Sequence, residues 1–457
     1  MNNKTYQIDM CTGAVLPKLL KFALPMMATN ILQLMFSAAD SIVVGRFAGE
    51  AQLAAVGAVV PLISLLTNLF LGLSVGANVT AAKCYGSDDE KGLSETLHTA
   101  ITLGAVVGLF LTGLGLVLSE RLLVLMKTPD DVLEYAVLYL RIYFLGMTSM
   151  TVYNFGSAVL RAVGDTKRPL LFLIISGSLN VALNLLFVIC FKWGVAGVAV
   201  STILTQTLSA YLLLICLSKE SNGLRFEPKK LAIRRDKFKS IVMIGLPAGF
   251  QSSMYSVSNV VIQSSINSFG KTVIAANTAA VNFEDMIYFT LNAVMQSVTS
   301  FTGQNMGKGD MKRVRHVQVV GQAVVVTTGA ILILTFSLLA PQLLGIYIKS
   351  PLVITYGVER LRILLPLYFL CGVMEVFIGG MQGMGHSLLP AIVSLVGICA
   401  LRVGFLTLLF PLEAFHKVTY VYALYPATWI ITSIAEGICF IIVYRHTSKQ
   451  IISQEKS

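Results

Sequence analysis

The chain has 457 residues, of which 55% are hydrophobic and 12% are charged. Soluble domains carry about 25% charged residues, so half that charge cannot cover a water-facing exterior, and a soluble globular fold is excluded. The net charge of +11 does not point to nucleic acid. Basic residues sit between apolar stretches, and the densest run, Arg225 to Lys239, falls mid-chain, where it reads as a cytoplasmic loop beside anionic lipid.

Runs of about 20 apolar residues predict twelve spans. In chain order they lie at roughly 17–44, 53–77, 95–118, 132–155, 168–191, 194–217, 240–266, 275–298, 315–340, 353–379, 388–411 and 419–444. The first run has no small-residue cleavage signal and is expected to be a retained span. With the N-terminus inside, 23 Lys and Arg fall on inner segments and 7 on outer ones, the remaining four being Arg141, Arg360, Arg362 and Arg402. That asymmetry predicts a multi-pass protein of the plasma or inner membrane with both termini cytoplasmic. Seven cysteines without CxxC spacing read as packing residues. His98, His316, His386, His416 and His446 are scattered near span ends, so neither a metal centre nor a catalytic triad is expected.

The chain matches itself at an offset of 221. Gly49 falls on Gly270, Gly86 on Gly307, Tyr135 on Tyr356, Gly164 on Gly385 and Pro169 on Pro390, with Leu24-Pro25 on Leu246-Pro247 after a slip of one. Each half therefore holds six spans of the same orientation, related by a pseudo-twofold axis along the membrane normal, as in transporters made of parallel repeats. The expected organisation is an N-terminal six-helix bundle over 1–217, a basic cytoplasmic linker over 218–239, a C-terminal six-helix bundle over 240–445 and a tail over 446–457. Two matched bundles suit alternating access, and transport, with no enzymatic step, is the function that follows.

Five stretches carry a resemblance to a known family: Ala23-Leu24-Pro25, Ala39 to Gly45, Leu160 to Thr166, Gly194 to Thr202, and Gly380 to Gly385. In this order and on twelve spans, the sequence resembles the multidrug and toxic compound extrusion (MATE) family of antiporters over roughly residues 15–445. The resemblance implies export of small organic compounds, drug-like cations first, in exchange for H⁺ or Na⁺ by a monomer that needs only the lipid bilayer and its substrates. No GxxxxGK[ST] loop is present, in keeping with ion-driven rather than ATP-driven transport.

Ionisable residues inside spans are functional candidates by default. Asp40, near the end of the first span, resembles the family's coupling site; the alternative is an interfacial carboxylate paired with Arg46. Asn180 and Asn184 share a helix face. The family pattern there is Asn followed four residues later by Asp, so this chain lacks one carboxylate. Thr202 matches the family's hydroxyl. Asp40, Asn180, Asn184 and Thr202 together offer sodium one carboxylate, two amide oxygens and a hydroxyl, while the missing charge favours H⁺; interhelical hydrogen bonding is the other role for the two Asn. Cleft candidates are Glu284, Glu375, Asn154, Tyr255, Tyr288 and Phe36. Glu284 is expected to line the cleft while Asp285 bonds a neighbour; Glu375 and Glu436 either line it or pair with Arg402 or a basic loop. Tyr255 stands where some members carry an acid. Pro25 is a hinge or a static kink. Two rival functions are a flippase for lipid-linked saccharides, which wants several cations in the cleft, and an intramembrane transferase, which wants clustered acids. Arg402 alone and the loop Asp88-Asp89-Glu90 are what the sequence offers them.

Overall fold

The computed structural model describes residues 6–221, 223–347 and 350–455, and among them there are helices and turns but no strand. Lys4, Lys349 and Lys456 of the loop-charge tally lie outside the described residues. In chain order the helices are α1 (Val15–Phe47), α2 (Glu50–Gly86), α3 (Glu90–Leu125), α4 (Asp130–Leu145), α5 (Met147–Ala162), α6 (Lys167–Leu185), α7 (Gly194–Ser218), α8 (Arg235–Asn267), α9 (Lys271–Gly307), α10 (Met311–Tyr347), α11 (Pro351–Leu364), α12 (Phe369–Met384), α13 (Leu388–Ser394), α14 (Leu401–Leu408) and α15 (Val418–Glu455).

These make the twelve expected spans. Helices α4 and α5 form one span bent by 47°, and α11 and α12 form another bent by 45°. A π-helical turn, Leu186–Cys190, extends α6, and a second, Leu395–Ala400, joins α13 to α14. Helices α8 and α9, of 33 and 37 residues, are long enough to cross but carry many polar side chains, among them Gln251, Ser253, Asn277 and Glu284. Most unbroken helices outrun the apolar stretches read from sequence. At 1.5 Å per residue, the 37 residues of α2 span about 55 Å against a hydrocarbon core of about 30 Å. Hydropathy registers only the buried middle of such a helix.

The internal repeat is written into the backbone. Gly49 and Gly270 precede α2 and α9 with φ of 95° and 88°, a region that favours glycine. Gly164 and Gly385, also 221 apart, share φ of 93° and 96°. Asp89 accepts a hydrogen bond from the Gly92 N–H at 2.8 Å to cap α3, and Asp310 accepts one from the Arg313 N–H at 2.9 Å to cap α10.

Two compact units result. The first comprises Met1–Asp9 and Leu24–Gly249, the second Met10–Ala23 and Phe250–Ser457. Helices α1 and α8 are thus each divided, next to Pro25 and Pro247. The early part of α8 lies with the first unit because small residues let backbones meet: a Cβ at Gly72 would fall 2.1 Å from the Gly249 nitrogen, and one at Gly76 2.1 Å from the Ile241 oxygen. The segment 223–234 lies against α3. Leu224 is buried, the Glu227 N–H donates to His98 Nε2 at 3.0 Å, the Arg234 N–H donates to Thr99 Oγ1 at 3.1 Å, and Phe226 stacks on the His98 ring. His98, unassigned in sequence, therefore holds this segment.

Candidate functional site

Each unit holds carboxyl groups in a polar cluster, Asp40 half-buried in the first and Glu284, Glu375 and Glu436 buried in the second. In the first unit, the four-residue spacing on α6 sets Asn180 and Asn184 on one face, and α1 brings Asp40 to them. Asn184, 0% exposed, donates from Nδ2 both to Asp40 Oδ1 and to Asn180 Oδ1, the latter at 3.2 Å. Ser201 on α7 donates from Oγ to Asn184 Oδ1. The side-chain amide of Asn184 is thereby saturated at both ends. Thr202 stands outside this set, with its hydroxyl turned to its own helix at the Val198 carbonyl, 3.0 Å away. Tyr139 and Tyr143 of α4 stack with ring centroids 6.1 Å apart, and Phe36, one turn before Asp40, covers Gly177 of α6. Asn154 donates to the Met150 carbonyl at 2.8 Å and lines a narrow crevice with Thr67, Phe70, Leu111 and Met147. Pro25 lies within an unbroken α1, its carbonyl accepting from Thr29 Oγ1 at 2.8 Å.

The second unit departs from the roles expected of its acids. Glu284 accepts from Arg360 Nε and Nη2 at 2.7 Å each, a bidentate pair in which Arg360 is 1% exposed. Its carboxylate is paired with α11 through both oxygens. A guanidinium this deep requires an anion, and Glu284 is the one α9 presents. Asp285, expected to bond a neighbour, is half-buried and among the described residues takes no hydrogen bond or ion pair. Glu436 accepts from Ser394 Oγ at 2.9 Å, Gln251 Nε2 donates to Ser394 Oγ at 2.9 Å, and the same nitrogen donates to the Tyr255 hydroxyl at 3.1 Å. Neither Glu436 nor Glu375 pairs with Arg402, whose Nε donates to Thr428 Oγ1 at 3.0 Å. Glu375, 4% exposed, takes no hydrogen bond or ion pair among the described residues.

Sequence reasoning missed Ser201, Arg360, Ser394 and Gln251. Ser201 lay within a recognised stretch, but adjacent hydroxyls at 201 and 202 are told apart only by helix rotation. Arg360 sits 76 positions from Glu284, and no local pattern links them.

Twelve helical spans in two matched units, each holding carboxyl groups in a polar cluster among its helices, define a membrane transporter of the repeat-built class. The MatE family model matches residues 25–186 and again 247–407, one copy per half. A probable multidrug resistance protein of Bacillus subtilis, YpnP, is 30% identical over 88% of this chain and 89% of its own length. A second from the same organism, YoeA, is 25% identical over 84% of each. A solved structure of a MOP superfamily transporter from Pyrococcus furiosus superposes with a TM-score of 0.85 over 98% of both chains at 21% identity, which speaks to the fold. The chain belongs to the multidrug and toxic compound extrusion family, and it is a multi-pass membrane transporter.

Proposed function

We propose that this protein exports small organic compounds, drug-like cations among them, in exchange for protons that load and leave Asp40. The observation that carries this reading is the orientation of Asn184. Its N–H groups face Asp40 and Asn180, and its carbonyl is occupied by Ser201. A sodium ion wants oxygen ligands, whereas this cluster turns amide hydrogens toward its single carboxylate. One proton neutralises a lone carboxylate among apolar helices, where standing charge is expensive. Sodium coupling would want an amide oxygen turned toward Asp40, where Asn184 in this orientation presents its N–H. In this reading the protein lies in the plasma or inner membrane with both termini and residues 218–239 in the cytoplasm, and access alternates between two bundles. Proteoliposomes loaded with a cationic dye and given separate proton and sodium gradients test it. Efflux is expected to follow the proton gradient, and efflux driven by sodium alone would overturn the choice of ion.

A further inference from the structure

The second unit gathers hydrogen-bond donors that have nothing to give to. Tyr425 of α15 has two guanidiniums over its ring, Arg360 at 5.1 Å and Arg402 at 4.4 Å, and Arg360 also lies 5.1 Å from the ring of Tyr422. The two arginines differ in their charge balance. Arg360 is neutralised by Glu284, whereas Arg402 has no ion pair among the described residues. It is 4% exposed, and its hydrogen bond goes to the neutral Thr428 hydroxyl. Three buried donor atoms around this ring lack an acceptor: Arg402 Nη2, Arg360 Nη1 and the Tyr422 hydroxyl. Buried polar atoms are nearly always satisfied, and a guanidinium withdrawn from water without an anion is costly. Such an accumulation of unmatched donors is what an oxyanion relieves. Arg presents a planar fork that fits a carboxylate through two parallel bonds.

We propose that Arg402, backed by Tyr425 and Thr428, is a binding site for an oxyanion group, tested here as a carboxylate, on compounds this transporter carries. The inference rests on the export reading and deepens it: the substrates include compounds that carry a carboxylate or a like oxyanion.

The two tryptophans give a direct readout. Trp429 packs against Tyr425 with ring centroids 5.9 Å apart, so Trp193→Phe leaves a single tryptophan at the site. In detergent, with no ion gradient, quenching of Trp429 by 4-nitrobenzoate is compared with quenching by 4-nitrobenzamide, the same ring without the charge. The carboxylate is expected to bind about tenfold tighter or better, in line with charge-assisted pairing, and to raise the melting temperature where the amide does not. Arg402→Gln is expected to abolish the preference, and Arg402→Lys, which keeps the charge but loses the fork, to reduce it. Equal binding of the two probes by the Trp193→Phe protein overturns the site without recourse to any further variant, as does a preference that survives Arg402→Gln. Asp40→Asn keeps the preference, so a failure of proton exchange and a failure of this site remain distinguishable.

Discussion

Asn184 directs a side-chain N–H at the Asp40 carboxylate from 144 positions further along the chain. The contact ties α1 to α6 inside the first unit, and it makes Asp40 the acceptor of a neutral donor rather than the partner of a second acid. Protonation of Asp40 removes the charge that Asn184 is oriented to meet, so loading the carboxyl weakens the link between the two helices. That is a physical route from a proton to a helix movement.

Asn184→Asp places a second carboxylate where an amide donor now stands. Two carboxylates at hydrogen-bond distance cannot both stay charged without a shared cation. Efflux by this variant is expected to depend on sodium more strongly than that of the parent, read by replacing sodium with choline in proteoliposomes. An identical response in the two media would show that α6 does not meet the ion.

Glu284 and Asp285 are expected to separate in stability. Glu284→Gln leaves Arg360 buried and unpaired, a change worth about 3–5 kcal/mol, and should lower the melting temperature markedly. Asp285→Asn, which breaks no bond among the described residues, should melt close to the parent. Thermal unfolding in detergent checks both. A fully stable Glu284→Gln would mean that the ion pair is dispensable.

Much of this architecture is legible in the sequence because lipid enforces it. Apolar runs of spanning length and the 221-residue repeat lead to twelve helices, and Gly49 and Gly270 adopt matching backbone angles because their helices begin alike. Asp40, Asn180 and Asn184 were singled out by ionisability and by spacing on one helix. The roles of Glu284 and Asp285 were illegible because helical geometry says only that neighbours point about 100° apart, while the deciding partner, Arg360, comes from a distant helix. The donor cluster at Tyr425 was hidden for the same reason, since its members belong to α11, α14 and α15.

The crossing of α2 and α8 supplies a packing prediction. Gly72→Ala places a methyl group 2.1 Å from the Gly249 nitrogen, a clash that only backbone separation relieves. Overpacking of this kind costs about 1–3 kcal/mol, and Gly249→Ala should do the same from the other side against the Leu69 carbonyl, 2.0 Å away. Both variants should melt lower than Gly57→Ala, whose Cβ meets nothing within 4 Å.

Orientation follows from the loop charges. Single cysteines at Ser221 and Ser268 in a cysteine-free background should label from opposite sides, Ser221 only after the membrane is permeabilised. Labelling of both in intact cells would reverse or refute the assignment of residues 218–239 to the cytoplasm.

The most direct test is efflux by Asp40→Asn in proteoliposomes under an imposed proton gradient. The substitution keeps the shape of the side chain and fixes it in the uncharged form. The variant should fold and still bind dye, yet fail to move it against its gradient, while the parent pumps. Uphill efflux by Asp40→Asn at the parental rate would contradict the account and remove Asp40 from the coupling of protons to export.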